Sequence, residues 1–224
     1  CSADVVSSTV PCSHKWMTGT VNSFFIGLTA TFIATTLGTI AALGLSRPHM
    51  PYKGLIMAIL ISPMIVPLII TAAGMFFFYA RINLVYTFTG VILAHVALAT
   101  PFVVITVTAT LVGFDMNMVK ASQSLGARPV RTFFKVIMPL ILPGIISGAL
   151  FAFITSFDEV VIVMFMASLD QLTIPKQMWA GIRQEISPVI LCMATCLVAL
   201  SIFLLTTVEI LRRRSERLRG IKSR

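Results

Sequence analysis

Two neighbouring carboxylates, Asp158 and Glu159, sit well inside an apolar run that extends from about Leu140 to Leu169. An ionised carboxylate in hydrocarbon is costly, so such a pair marks a polar path or a helix break that faces one. Its charge is complementary to a cation, above all a dication. Direct contact with a bound cation and a structural or gating role at a helix bend both remain open on these residues. The remaining reactive side chains do not assemble into a catalytic set. His95 is the one histidine inside an apolar run and is expected to bond a neighbouring helix. No nucleophilic serine motif accompanies it. Cys192 and Cys196 lie four apart in apolar sequence, where small thiols are ordinary packing residues. With Cys1 and Cys12 they form neither a disulfide framework nor a zinc spacing. There is no phosphate-cradling P-loop. The sequence therefore predicts no catalytic residue, no metal site and no cofactor.

A second constellation is the basic stretch KASQSLGARPVRTFFKVIMPLILPG, Lys120 to Gly144. Met116 to Leu125 reads as a short helix stopped by Gly126, and Pro129 suits the first turn of another. Val130, Phe133, Phe134 and Ile137 recur at helical spacing and predict one apolar stripe. Arg131 and Lys135 fall on a polar side. Pro139 and Pro143 are expected to close the element and turn the chain into the next apolar run. Such a segment cannot lie within lipid. It reads as a surface element, either an interfacial amphipathic helix or a contact for a partner in the aqueous phase.

The elements that position these residues follow from composition. Of 224 residues, 57% are hydrophobic and 11% charged, more apolar surface than a soluble domain of this size can hide. Five runs are long enough to cross about 30 Å of hydrocarbon: Thr20–Leu45, Gly54–Tyr79, Phe88–Gly113, Leu140–Leu169 and Pro188–Leu211. Each must be helical, because a span in lipid satisfies its own backbone. Pro63 and Pro67, Pro101 and Pro143 predict kinks. Small residues at Gly38, Ala41, Ala42 and Gly44, and again at Gly144, Ser147, Gly148 and Ala149, predict close helix contacts.

Segments 46–53, 114–139 and 212–224 hold thirteen of the seventeen Lys and Arg residues. The positive-inside rule puts them in the cytoplasm, with the C-terminus, and puts the N-terminus outside. The net charge of +9 is thus a matter of topology. Nucleic-acid binding is excluded by the absence of a basic groove with interleaved aromatics. The expected organisation is a polar leader (1–19) outside, a membrane domain (20–211) with a cytoplasmic loop (114–139), and a basic cytoplasmic tail (212–224). An odd number of spans beginning outside predicts a further span upstream. On the outer side, Pro175 to Glu185 reads as a short helix with Met178, Trp179, Ile182 and Ile186 on its apolar stripe, the Trp in the membrane interface.

The spacing of Ala121, Ser122, Gly126, Ala127, Val136, Met138 and Pro139 resembles the EAA loop of ABC importer permeases. That family carries Glu-Ala-Ala, a Gly after three residues, and Ile-x-Leu-Pro after nine more. Lys120 stands here where Glu is common, and Ser122 where the second Ala is. The stretches GALFAFITSFDEVVIVMFMA, TIPKQMWAGIRQEISPVI and LGTIAALGLSR are similar to the spermidine/putrescine-type permeases of that family, so the likeness covers roughly residues 20–215.

The resemblance implies an all-α polytopic transmembrane bundle of the type I importer fold, six helices in the family with five spans here. It implies a multi-pass protein of the bacterial inner membrane with no enzymatic activity of its own. Its partners would be cytoplasmic ABC ATPase subunits, a second permease subunit and an extracytoplasmic solute-binding protein. The implied cargo is a polyamine. Other small solutes such as phosphonates or metal chelates are alternatives, and so, from a different class, is a stand-alone channel or secondary carrier. Carried onto this chain, the ATPase-coupling residues are Lys120, Ala121, Ser122, Leu125, Gly126, Ala127, Phe133, Phe134 and Pro139, with Val119 beside them. The translocation path takes Asp158 and Glu159, and the contact with the binding protein takes Met178, Trp179 and Arg183.

Overall fold

The structure is a computed structural model that describes residues 14–47, 50–112, 117–184 and 188–218. Among the described residues there is no strand. Among the same residues, four helices are long and apolar enough to cross a membrane, and a bent pair makes a fifth crossing if counted as one.

Helix α1 (His14–Leu45) starts six residues before the expected Thr20, so the end of the predicted leader is helical. Trp16, from that stretch, packs beside Phe153, Phe157 and Ile174, and this apolar anchorage extends the helix past its lipid-length core. Helices α2 (Lys53–Ile65) and α3 (Leu68–Arg81) replace the single second span and meet at 104°. The cause is Pro67: Val66 before it is extended (φ −70°, ψ 136°), the conformation a following proline imposes.

Helix α4 (Phe88–Val112) is the central and most buried element, and it passes through Pro101 unbroken. It packs against α1 and against α7 (Met138–Phe157), which also pack on each other. Phe25 meets Phe88 edge-on at 5.8 Å, and Gly38 lies against Val103, so α1 and α4 run parallel. Helix α7 runs antiparallel to both, with Gly148 against Val103 and Thr106 and Gly144 against Thr110. A Cβ built on Gly38 would stand 2.7 Å from that of Val103, and one on Gly144 would collide with the Thr110 hydroxyl. Gly38, Gly144 and Gly148 therefore make the close helix contacts expected of them, whereas Gly44 faces open space.

Between α4 and α7 lie α5 (Asn117–Ser124), α6 (Pro129–Thr132) and a π-turn over Phe133–Ile137. Contrary to expectation, Pro139 and Pro143 do not close an element, and residues 129–157 form one membrane-length helix. The Met138 N–H bonds the carbonyl of Phe133, five residues back. This widened turn lies just ahead of Pro139, where a regular turn would press the proline ring onto a carbonyl.

The expected fourth span also fails as a unit. Helix α7 stops at Phe157, and α8 (Val161–Met166) is a separate six-residue helix. A 3-10 turn (Leu169–Gln171), α9 (Ile174–Gln184) and α10 (Pro188–Leu218) follow. Helix α10 carries the fold seven residues into the predicted basic tail. It packs on α7 and is otherwise little buried. Cys1, Cys12, Gly113, Met116, Glu185 and Ile186 lie outside the described residues.

Candidate functional site

At the end of the bundle where α1 and α4 begin, the chain breaks at Asp158–Val160. The two carboxylates there have different surroundings. Glu159 is 7% exposed, and its Oε1 accepts the Ile162 N–H at 2.9 Å. It satisfies one of the orphan donors at the start of α8, as an N-terminal capping side chain does. Asp158 is exposed at the C-terminal end of α7. It lines a cavity of about 100 Å3 with Phe153, Ile154, Phe157, Leu200 and Ser201, between α7 and α10. Phe157 also meets Phe24 edge-on at 5.1 Å and Phe153 at 5.3 Å, so aromatic rings back the cavity.

The other end of α8 is closed by groups that sequence reading missed. Lys176 Nζ, from α9, donates to the carbonyls of Val163 at 3.1 Å and Ala167 at 3.2 Å. The Tyr86 N–H donates to the Met166 carbonyl at 2.9 Å. A cation at a helix C-terminus offsets both the unpaired carbonyls and the negative end of the dipole. Burial lowers the pKa of Lys176 below that of a free lysine. No local signal announces this contact, since the acceptors lie nine and thirteen residues away in sequence.

Helix α9 is itself docked on α1. Ser23 Oγ accepts the Ile174 N–H at 2.9 Å, and Gln177 Nε2 donates to the Lys15 carbonyl at 3.0 Å. Asn22 Nδ2 donates to the carbonyls of Asp170 and Leu172 at 2.8 and 3.1 Å, holding the link between α8 and α9. The predicted stripe on α9 divides. Met178 packs inward beside Phe153 and Phe157, whereas Trp179 and Ile182 are exposed. Arg183 belongs to the same helix. Deeper in the bundle, His95 Nδ1 and Ser156 Oγ lie 2.8 Å apart and buried, joining α4 to α7 as expected of a lone histidine in a span.

At the opposite end, α5 and α6 form a corner braced by hydrogen bonds. Gly126 has φ +79°, the left-handed conformation that glycine adopts without strain. Around it the Leu125 N–H bonds Ala121, the Gly126 N–H bonds Gln123 and the Ala127 N–H bonds Ser122, at 3.1, 2.9 and 3.1 Å. Ser122 and Thr132 share a hydroxyl–hydroxyl bond at 3.0 Å that ties α5 to α6. Leu125, at the tip, is 89% exposed, and Met118, Val130 and Phe134 are exposed with it. Lys120, Ala121, Arg128, Arg131, Lys135 and Pro139 are exposed, while Val119, Ala127 and Phe133 are half-buried. The single apolar stripe expected from Val130 to Ile137 is therefore split. The π-turn rotates Phe133 and Ile137 toward the bundle and leaves Val130 and Phe134 outward.

The corner is thus an exposed apolar surface on a hydrogen-bonded frame, beside a bundle of membrane-length helices. Residues 17–217 match the family described as binding-protein-dependent transport system inner membrane component.

The chain belongs to this family. The spermidine/putrescine transport system permease protein PotC of Haemophilus influenzae is 29% identical over 195 residues, covering 87% of this chain and 76% of the relative. The putrescine transport system permease protein PotI of Escherichia coli is 30% identical over 181 residues, covering 77% and 64%. Among solved structures, an amino acid ABC transporter with histidines matches at a TM-score of 0.67 and 16% identity, over 89% of this chain and 94% of that one. The inward-facing methionine ABC transporter MetNI matches at 0.60 and 21%, over 94% and 100%. This inner membrane component thus has the all-α polytopic fold of ABC importer permeases. The chain is a transporter permease rather than an enzyme.

Proposed function

We propose that this chain is the permease subunit of an ATP-driven importer of polyamines. A solute-binding protein outside delivers the cargo, and ATP is hydrolysed by separate subunits docked on the 117–139 corner. The observation that carries the coupling reading is that corner: a rigid turn that holds Leu125 almost wholly exposed. Its end of the bundle is the cytoplasmic one by the positive-inside rule, and the α10 C-terminus lies there too. Val119, Lys120, Ala121, Ser122, Leu125, Gly126, Ala127, Phe133, Phe134 and Pro139 supply or support the docking surface. Trp179 and Arg183 on α9 belong to the lip that meets the binding protein, with Met178 supporting them from inside.

The polyamine reading is supported by the relatives' names and by the division of labour between the carboxylates. Glu159 is engaged in capping α8, so Asp158 is the acidic group available to a passing ammonium. The translocation path then runs past the break between α7 and α8, and the helices rock about it.

Leu125→Asp tests coupling, because the side chain is exposed and the change leaves the fold alone. Membranes carrying this variant should fail to retain the ATPase in mild detergent and should lose uptake, while the permease itself persists at normal levels. Retained ATPase together with normal uptake would refute the docking site. Uptake of labelled spermidine by Asp158→Asn tests the cargo contact, and unchanged uptake there would remove Asp158 from the path.

A further inference from the structure

Helix α8 is held by two groups from different parts of the fold. Its own packing is against α3 and α4, and the Tyr86 N–H fixes its last turn to the α3–α4 connection. Helix α9, by contrast, is bonded to the first turns of α1 through Ser23 and Gln177. Lys176 is the α9 side chain whose charged group crosses from one set to the other, reaching two carbonyls of α8. At its far end α8 is capped by Glu159, in the break next to Asp158. A six-residue helix is too short to hold itself together, so its position is set by what binds its two ends.

We infer that Lys176 is a positioning residue: it clamps α8 to α9, so that displacement of α9 is passed through α8 to the break at Asp158–Val160. This rests on the reading of α9 as the surface met by the binding protein. Docking on Trp179 would press on a helix whose Lys176 ammonium, some three residues away, grips the C-terminal carbonyls of α8. The partly buried ammonium makes two charge-assisted bonds, stronger than neutral ones. Release of α9 frees α8 at one end, and the Glu159 cap at the other moves with it.

The test uses the assembled transporter in liposomes, with its partner permease and ATPase subunits. ATP hydrolysis is measured with and without spermidine-loaded binding protein. Lys176→Met removes both bonds; it should leave basal hydrolysis unchanged and reduce the stimulated increment about tenfold or more. Lys176→Arg, which still offers donors to both carbonyls, should recover most of that increment.

Basal and stimulated rates falling together would mean a merely structural lysine and would overturn the inference, as would two unchanged rates. A second readout is independent of the binding protein: maleimide labelling of Val160→Cys, in the break, should speed up in Lys176→Met and not in Lys176→Arg. If wild-type hydrolysis were not stimulated at all, the reading of α9 as a docking surface would fail. The clamp would then be decided by the labelling alone, and unchanged labelling would overturn it.

Discussion

Glu159 and Asp158 are adjacent in sequence and opposite in circumstance, and substitution separates them. Glu159→Ala removes the acceptor of the Ile162 N–H and should cost about 1 kcal/mol, the usual value of a lost N-terminal cap. Glu159→Gln keeps an acceptor oxygen and should cost much less. Thermal unfolding in detergent checks both, and equal stability of the Ala and Gln variants would show that the cap contributes nothing. Asp158→Asn should leave unfolding unchanged, since its carboxylate is exposed, and act on uptake instead. The sequence shows the pair as one acidic motif. It cannot show which member is engaged, because that depends on where α7 stops. His95 was legible, since a single imidazole among apolar side chains has to bond across to another helix. Lys176 was not, since a lysine outside a span looks the same whether it points into water or into a helix end.

Among the elements, the corner at Gly126 was legible from glycine and proline placement alone. Its φ of +79° makes Gly126→Val a strained variant at an otherwise open position, with about 1–2 kcal/mol of backbone cost. Faster hydrogen exchange of the Leu125–Ala127 amides should report it, and unaltered exchange would mean the turn tolerates a branched side chain. Gly144→Val tests a different constraint. Its Cβ would meet the Thr110 hydroxyl, so stability should fall by about 1–3 kcal/mol, while Gly54→Ala, with open space around it, should do little. What apolar runs could not reveal was where a helix stops inside them. Val160 to Ala167 is as lipid-like as a span, yet it forms a short separate helix once Asp158 and Glu159 interrupt the run. Proline was a partial guide: the kink expected at Pro67 is a 104° bend made through its effect on Val66, whereas Pro139, expected to close an element, is absorbed by a π-turn.

For the molecule as a whole, the prediction concerns sidedness. The corner at Leu125 and the lip at Trp179 lie at opposite ends of the antiparallel α7, beyond its start and beyond its stop. In a cysteine-free background, Trp179→Cys should react with an impermeant maleimide in spheroplasts. Leu125→Cys should react only in inverted vesicles. Labelling of both from one side would invalidate the orientation drawn from the basic residues. The overall bundle was legible because membrane length, helicity and charge asymmetry are each strong constraints on a chain this apolar. The packing order of α1, α4 and α7 was not, because small residues promise a close neighbour without naming it.

The unbroken helix from Pro129 to Phe157 has one further consequence. It lies against α4 at Gly144 and Gly148, where it brings no side chain of its own. Were the helix to tilt about this contact, the arms on either side would be unequal. At about 1.5 Å per residue, Pro129 to Gly144 measures about 22 Å and Gly148 to Phe157 about 14 Å. Any tilt of the rod therefore arrives at the Asp158 break reversed in direction, reduced to roughly two-thirds in travel and correspondingly increased in force. A short stroke with greater force suits the parting of packed aromatic side chains better than a long weak one.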